Sequence, residues 1–290
     1  MTTPSFEISV DKADMTALDW LATASALPKM RLKDAMSKGA VWLISKGQPE
    51  KRLRRVRHTP KVGDVLRLYY DADLLAREPQ LPVLLADFKK YSLWYKPAGL
   101  LSQGTAYADH CSLLRQAEVQ TGRECWLIHR LDREAQGLVL LAHHSKLAAQ
   151  LSQQFQQRDV DKRYLVKVAG VVDNTDWHTL DHPLDGKAAL SRFRSLGQEQ
   201  GHSLLEVSIE TGRKHQIRRH LAAFGHPVLG DPRHGRDNSW PAGMQLIAAH
   251  LSWQCPLAQK RRIWDLTQHM PEVMADWPAE ALKQFRRNNE

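Results

Sequence analysis

At 290 residues and 42% hydrophobic content, the chain is long enough for two domains and apolar enough to build a sizeable core, so a globular protein is expected. Its 41 Lys and Arg against 32 Asp and Glu leave a net charge of +9, which attracts polyanions: RNA, DNA or anionic membrane. No basic and apolar leader opens the sequence, no run approaches the roughly 18 apolar residues of a membrane span, and Cys111, Cys125 and Cys255 lack Cys-x-x-Cys spacing. A cytoplasmic, reducing location is expected, with no disulfide framework and no zinc knuckle.

The 14 histidines are scattered, and His129, His143 and His144 have no partner spacing that would make them ligands, so no metal site is expected. No internal repeat or low-complexity segment appears.

The first element that the pattern predicts is a helix over residues 31–38, ended by Gly39, a good residue for the position after a helix. Residues 40–44 (Ala-Val-Trp-Leu-Ile) and 64–70 then read as two β-prone runs that can pair, with Gly63-Asp64 supplying the turn before the second. Between them, residues 46–61 hold seven Lys or Arg and one acid, too lopsided for i,i+4 pairing along a solvated face. Phosphate contact is the preferred reading, since the planar arginine fork holds a phosphate by two bonds at once.

Helix, Lys38-Gly39-Ala40-Val41, strand, basic segment, Lys61-Val62-Gly63-Asp64-Val65 and strand in that order resemble the S4 RNA-binding module over about fifty residues. The resemblance implies a small α/β domain, with Arg31, Lys51, Arg52, Arg54, Arg55 and Arg57 as RNA-binding candidates. Residues 71–82 change composition, carry two prolines and read as a linker. Two domains are expected, 1–84 and 85–290.

In the second, residues 91–100 read as a strand ending at Lys96-Pro97 and turning at Ala98-Gly99, and residues 111–119 as a short helix. Residues 126–128 and 138–142 are two short apolar runs, read as buried strands, around the charged loop His129-Arg130-Leu131-Asp132-Arg133-Glu134. Neighbouring guanidinium groups favour the carboxylate form of an acid, which suits a nucleophile or a base. An ion-paired structural turn and a catalytic loop both fit that spacing.

Residues 144–158 place Leu147, Leu151 and Phe155 at i, i+4, i+8, a helix with one buried stripe. Residues 161–170 alternate as a strand with Tyr164, Val166 and Val168 on one face, and residues 203–210 alternate with Leu205, Val207 and Ile209 inward and Glu206, Ser208 and Glu210 outward. The latter strand leads to Thr211-Gly212-Arg213-Lys214-His215-Gln216-Ile217-Arg218-Arg219-His220, ten residues with four Lys or Arg, two His and no acid. With Ile217, Leu221 and Phe224 at i, i+4, i+7, this is a helix start that can face an anion.

His129-Arg130-Leu131-Asp132 with Gly137, Lys96-Pro97-Ala98-Gly99, and Thr211-Gly212-Arg213 through Arg218 resemble the motifs of the RluA-type pseudouridine synthase family, over roughly residues 88–270. The resemblance implies an α+β fold, a mixed, largely antiparallel β-sheet with flanking helices. It also implies a reaction, conversion of one uridine in structured RNA to pseudouridine, with ribosomal RNA favoured over transfer RNA. Asp132 would attack C1′ or remove the C2′ proton, and the residues do not separate these routes. Arg218 would pair with Asp132, and Tyr164 would stack on uracil and act in transfer of the C5 proton. Arg130 would enter the gap left by a flipped nucleotide, with Lys162, Arg213, His215 and Gln216 as further RNA contacts. Glu134 is read as a structural ion pair. No cofactor or metal is expected, and the chain is expected to be monomeric and away from membranes.

Two positions depart from the family pattern: Ala135-Gln136 stand where Thr-Ser is frequent, and Ile247 where a histidine precedes the Leu-Ser-aromatic strand. Ala135-Gln136 leaves room for a second reading, a non-catalytic RNA-binding or ribosome-assembly protein with the same fold, against which the Asp132, Tyr164 and Arg218 set argues. A DNA-binding or membrane-surface role rests on charge alone.

Overall fold

Residues 5–235, 239–258 and 260–289 are described by the structure, a computed structural model. The chain divides into two units: Met1–Gln80 with Gln103–Thr121, and Leu81–Ser102 with Gly122–Glu290. The break after Gln80 lies close to the expected one. The return of residues 103–121 to the first unit differs from a serial division at 84/85.

The first unit is a four-stranded antiparallel sheet covered by helices. β1 (Ser5–Ser9) is followed by α1 (Ala17–Ser25), α2 (Lys29–Ser37), β2 (Val41–Ile44), β3 (Lys51–Arg52), β4 (Val65–Tyr69), the single turn α3 (Ala72–Leu75) and α4 (Leu113–Thr121). The sheet order is β1-β4-β2-β3. β2 and β4 pair as expected, Val41 opposite Leu68 and Leu43 opposite Leu66, and these four side chains meet Leu21, Leu32 and Met36 in the core.

β1 and α1 escape the sequence pattern. α1 is started by Thr16, whose hydroxyl accepts the Asp19 amide at 3.3 Å while donating to the Asp19 carboxylate at 2.6 Å, a reciprocal cap. The expected linker is partly helical as well. Asp71 accepts the Leu74 amide at 2.9 Å and starts α3, whose Leu75 is buried.

The second unit is built on β5 (Val83–Asp87), β6 (Tyr91–Lys96), β7 (Trp126–Leu127), β8 (Gln136–Ala142), α5 (Ser145–Gln157), β9 (Asp161–Ala169), β10 (His178–Leu180), β11 (Ser191–Glu199), β12 (His202–Ile209), α6 (Gln216–Ala223), β13 (Leu246–Gln254) and β14 (Arg261–Asp265). α7 (Leu266–His269), a 3-10 turn at Pro271–Met274 and α8 (Ala279–Arg287) follow. The strands run β10-β11-β12-β9-β13-β8-β6-β5, with β14 beside β13 and β7 beside β8.

Only β13 and β8 pair in parallel among the described strands, Ile247 opposite Gln136 and Ala248 opposite Gly137. This is the mixed, largely antiparallel sheet with flanking helices that the resemblance implies. The parallel pair explains Gly137. Its φ is +124° and a Cβ there would lie 2.4 Å from the Ala248 carbonyl oxygen, so any larger side chain would force the two central strands apart.

The outward assignment of Glu206 is corrected by the fold. Glu206 is fully buried, because the second face of the sheet is covered by the chain end around α8. Its carboxylate accepts from Arg194 Nε and a terminal nitrogen at 2.9 and 2.8 Å, and from Asn288 at 3.1 Å and Asn289 at 3.3 Å. Alternation detects one buried face; a sheet buried on both needs paired charges that periodicity does not show.

Candidate active site

Asp132, Tyr164 and Arg218 are brought together by three elements of the second unit. Asp132 lies in the loop entering β8, Tyr164 on β9, and Arg218 in the first turn of α6, which follows β12. Tyr164 sits opposite Val207 of β12 and Ala248 of β13, so its backbone is held from both sides. All three residues line one cavity of about 420 Å³, with Arg130, Arg213 and His215 also on its wall.

Arg218 is the hub. Its side chain is 1% exposed, and its Nε and one terminal nitrogen donate to the two oxygens of Asp231 at 2.8 and 2.7 Å. The other terminal nitrogen donates to Asp132 Oδ2 at 3.0 Å and lies 3.5 Å from Glu134 Oε2. Asp231 is fixed in turn, accepting the amides of Arg233 and His234 at 2.9 and 3.1 Å.

Burial alone would weaken the proton affinity of Arg218, yet its carboxylate partners, Asp231 first, raise it above the usual arginine value. Burial likewise pushes the Asp231 carboxyl up, and the Arg218 and amide hydrogen bonds outweigh it, so it stays below the usual range. Arg218 binds Asp132 through Oδ2, and the other oxygen, Oδ1, lies 3.9 Å from His215 Nε2 on the cavity wall. His215 is itself held by His234, ring nitrogen to ring nitrogen at 3.0 Å, and burial lowers its pKa.

Tyr164 is nearly buried, and enclosure first, then the neighbouring Asp132 charge, raises its phenol pKa. It is therefore a neutral hydroxyl at physiological pH, a ring to stack on with a proton to share.

The loop that carries Asp132 is pinned from below. Lys96, fully buried at the end of β6, donates to the carbonyls of Leu100, Pro97 and Arg133 at 2.7, 3.0 and 3.3 Å. Burial pushes its amine down to about 7, with Asp132 and Glu134 acting the other way. Ser102 closes the same loop by donating to the Leu131 carbonyl at 2.7 Å and accepting its amide at 3.0 Å. Glu134 pairs with Arg133 at 3.2 Å as well as with Arg218, an ion-paired position as expected.

The sequence offers Lys96 as a motif residue at the end of a strand, and gives neither it nor Asp231 a part at the site. The buried partner of a buried arginine leaves no periodic signal.

The RNA-contact candidates divide. Arg130 is exposed and lines the cavity, and neither it nor Lys162 makes an ion pair or side-chain hydrogen bond with another described residue. Arg213 donates to the Ala188 carbonyl at 3.1 Å and is otherwise exposed. Gln216 is different. It is buried, its carbonyl oxygen accepts from Thr211 Oγ1 at 2.7 Å and the Arg213 amide at 3.0 Å, and its amide donates to Leu190 and Ser191 at 2.9 and 3.0 Å. The structure uses Gln216 to shape the 211–216 turn.

In the first unit, Lys51, Arg55 and Arg57 are exposed, and Arg31 is exposed beside Tyr70. Arg52 and Arg54 are turned inward onto Asp109. Arg52 Nε lies 3.1 Å from its carboxylate and a terminal nitrogen donates to the Thr105 carbonyl at 2.6 Å; Arg54 pairs with the same carboxylate and donates to the Ser37 carbonyl at 2.7 Å. These two arginines hold residues 103–121 in place and have little left for a phosphate.

The two departures from the family pattern are neighbours in space. Gln136 and Ile247 are register partners on the parallel pair. Gln136 accepts the Tyr95 hydroxyl at 2.6 Å, and Ile247 is fully buried in the core. A polar contact to Tyr95 and a buried apolar side chain therefore sit side by side at these two positions.

Among the described residues no His, Cys, Asp and Glu group is placed to hold a metal, and no helix is long and apolar enough to cross a membrane.

A sequence profile described as RNA pseudouridylate synthase matches residues 90–223. Ribosomal large subunit pseudouridine synthase D of Pseudomonas aeruginosa is 32% identical over 235 residues, covering 73% of this chain and 71% of that protein. tRNA pseudouridine synthase C of Yersinia pestis is 35% identical over 198 residues, 56% of this chain and 77% of that protein. Three further relatives are spanned less fully, to 52, 62 and 38% of their lengths. The solved structure of human RNA pseudouridylate synthase domain containing 1 superposes with a TM-score of 0.58 at 21% identity, over 73% of this chain and 98% of that one, a likeness of fold.

Proposed function

The chain belongs to the RluA-type family of RNA pseudouridine synthases, and on that premise we propose that it converts a specific uridine in structured RNA to pseudouridine, with Asp132 as the catalytic carboxylate. The observation that carries this reading is Asp132 on the wall of a cavity, one of its oxygens held by a buried arginine whose other bonds are taken by Asp231.

The reaction breaks the bond from C1′ to N1, turns the uracil over and joins C5 to C1′; the C5 proton leaves and N1 gains one. Nothing is added from outside, so positioning and proton handling are the enzyme's task. Asp132 acts at the sugar, by attack on C1′ or by removing the C2′ proton. Arg218 orients it and balances its charge. Tyr164 stacks on the uracil, and its neutral hydroxyl is placed to help pass the C5 proton.

A uridine inside an RNA helix cannot reach this cavity, so the nucleotide is flipped, and exposed Arg130 at the cavity wall occupies the gap. Lys162, Arg213 and His215 meet the RNA beside the target. In the first unit, the S4-like reading assigns Arg31, Lys51, Arg55 and Arg57 to phosphates. Their spread over a separate unit favours a large structured RNA, ribosomal in preference to transfer RNA.

The test is tritium release from C5 of uridine-labelled RNA taken from cells lacking this protein. Wild type releases tritium, and Asp132→Asn does so at least about 10²–10⁴-fold more slowly, the range for a positioned acid or base, while binding RNA equally well. Binding without release by wild type would favour the non-catalytic assembly protein, the reading left open by Ala135 and Gln136.

A further inference from the structure

A second cavity of about 520 Å³ adjoins the first, and Arg130, Tyr164 and Arg213 line both. It is walled by the end of α5 and the start of β9, and its charge is one-sided: Arg130, Arg158, Lys162 and Arg213 against Glu210. That single acid is already taken, 3.1 Å from Arg192 and 3.5 Å from Arg158.

Lys162 and Tyr164 are two residues apart on β9 and so share one face, roughly 7 Å apart along the strand. Lys162 has no acidic partner within salt-bridge distance among the described residues, although it is partly buried with its Nζ 5.8 Å from the Phe155 ring centre. The carboxylate that favours its charge, Asp161, is itself paired with Arg163 at 2.8 Å, so a ligand anion would further stabilise this partly desolvated ammonium.

Phe155 gives the cavity an aromatic wall that is held rigid. The His129 ring stacks on it at 4.3 Å and 16°, and His129 is itself fixed by accepting the Leu140 amide at 3.0 Å. Beside it, Ser152 and exposed Gln156 offer hydrogen-bonding groups to the cavity. Cations, an aromatic wall and polar groups are the combination by which proteins hold an unstacked RNA base and its phosphate.

We propose that this cavity holds the nucleotide next to the target uridine: its base against Phe155, its edge within reach of Gln156 and Ser152, and the phosphate joining it to the target on Lys162, Arg130 and Arg213. The site rests on the pseudouridine synthase reading and adds to it that the enzyme reads a neighbouring base in an unstacked state. Target choice is then set in part within the second unit.

The experiment uses the full-length protein and three RNA fragments that keep the folded surroundings of the uridine mapped in cellular RNA: one intact, one abasic at the 5′ neighbour, one abasic at the 3′ neighbour. For wild type, kcat/KM falls roughly 5- to 150-fold on one of the two abasic substrates, the range for a base stacked on an aromatic ring. Phe155→Leu shows the same loss on the intact substrate and no further loss on that abasic one. Lys162→Gln, which keeps a polar side chain of similar reach, raises KM at unchanged kcat and flattens the salt dependence, and it decides the phosphate contact should Phe155→Leu fold poorly. Equal rates on all three substrates, or losses that multiply, overturn the subsite while leaving the reaction established. Absence of release from the cellular RNA itself overturns the reaction reading, and the subsite with it.

Discussion

The two units contain inverse charge clusters. In the second, one arginine is set among three carboxylates, Asp132, Glu134 and Asp231; in the first, one carboxylate, Asp109, is set between two arginines, Arg52 and Arg54. The acidic surplus around Arg218 leaves Asp132, bound through one oxygen, on the wall of a cavity. The other cluster spends both guanidinium groups on backbone carbonyls and Asp109, and leaves no fork facing outward. Count of charges is thus a poor guide to function, and the partner each charge already has is a better one.

The sharpest way to break this comparison is Arg218→Ala. It strands Asp231, whose side chain is 0% exposed, without its counter-ion, and a stability loss of about 3–5 kcal/mol is expected in urea unfolding, together with loss of activity. Arg218→Lys keeps the charge without the fork and should recover stability in part but not turnover. A melting profile like wild type for the alanine variant would show that the cluster carries no structural charge balance.

Asp109→Ala is the matched change in the first unit. With Arg52 and Arg54 side chains 18 and 25% exposed, water screens part of the effect, and a loss of about 1–2 kcal/mol is expected with RNA affinity unchanged. A drop in affinity as large as the drop in stability would place these arginines on RNA after all.

Lys96 gives a pH-dependent form of the test. Its folded pKa of about 7 lies below its ordinary 10.5, so between those values the unfolded chain binds more protons than the folded one and stability rises with pH. The stability of wild type relative to Lys96→Met should therefore grow by about 1 kcal/mol per pH unit from pH 7 to 10 and be flat below 7. Unfolding curves at pH 6, 7 and 9 measure it, and a flat difference throughout would mean that Lys96 stays protonated.

The smallest effects belong to Arg55→Ala and Arg57→Ala. Both side chains are exposed, so stability should move by less than about 0.5 kcal/mol. RNA affinity should fall, and the slope of log affinity against log salt should shrink by about 1 for each.

What the sequence makes legible follows from the kind of signal each element emits. β2, β4, β6, β8 and β9 are carried by apolar alternation or runs, and α5 by its Leu147, Leu151, Phe155 stripe; all appear within two residues of their expected bounds. β1 and α1 emit no comparable pattern, and a helix started by Thr16 with Asp19 is recognisable only once that pair is sought. At the site, the motifs bring Asp132, Tyr164 and Arg218 into view. Asp231 and Ser102 stay hidden, and Lys96 shows as a motif residue without its role, because what they do depends on bonds made only in the folded chain. Gln216, Arg52 and Arg54 were legible as polar residues of a basic run, but their internal partners could not be read from it.

The return of residues 103–121 to the first unit has a consequence for anyone dissecting the protein. A gene fragment ending at codon 84 would encode Arg52 and Arg54 without Asp109, and Trp42 without the Ala106 carbonyl that accepts its indole N–H at 2.8 Å. A stand-alone version of the first unit must be spliced, residues 5–80 joined by a short linker to 103–121. On the ribosome the same arithmetic applies: this unit cannot close its charge cluster until part of the second has already been synthesised.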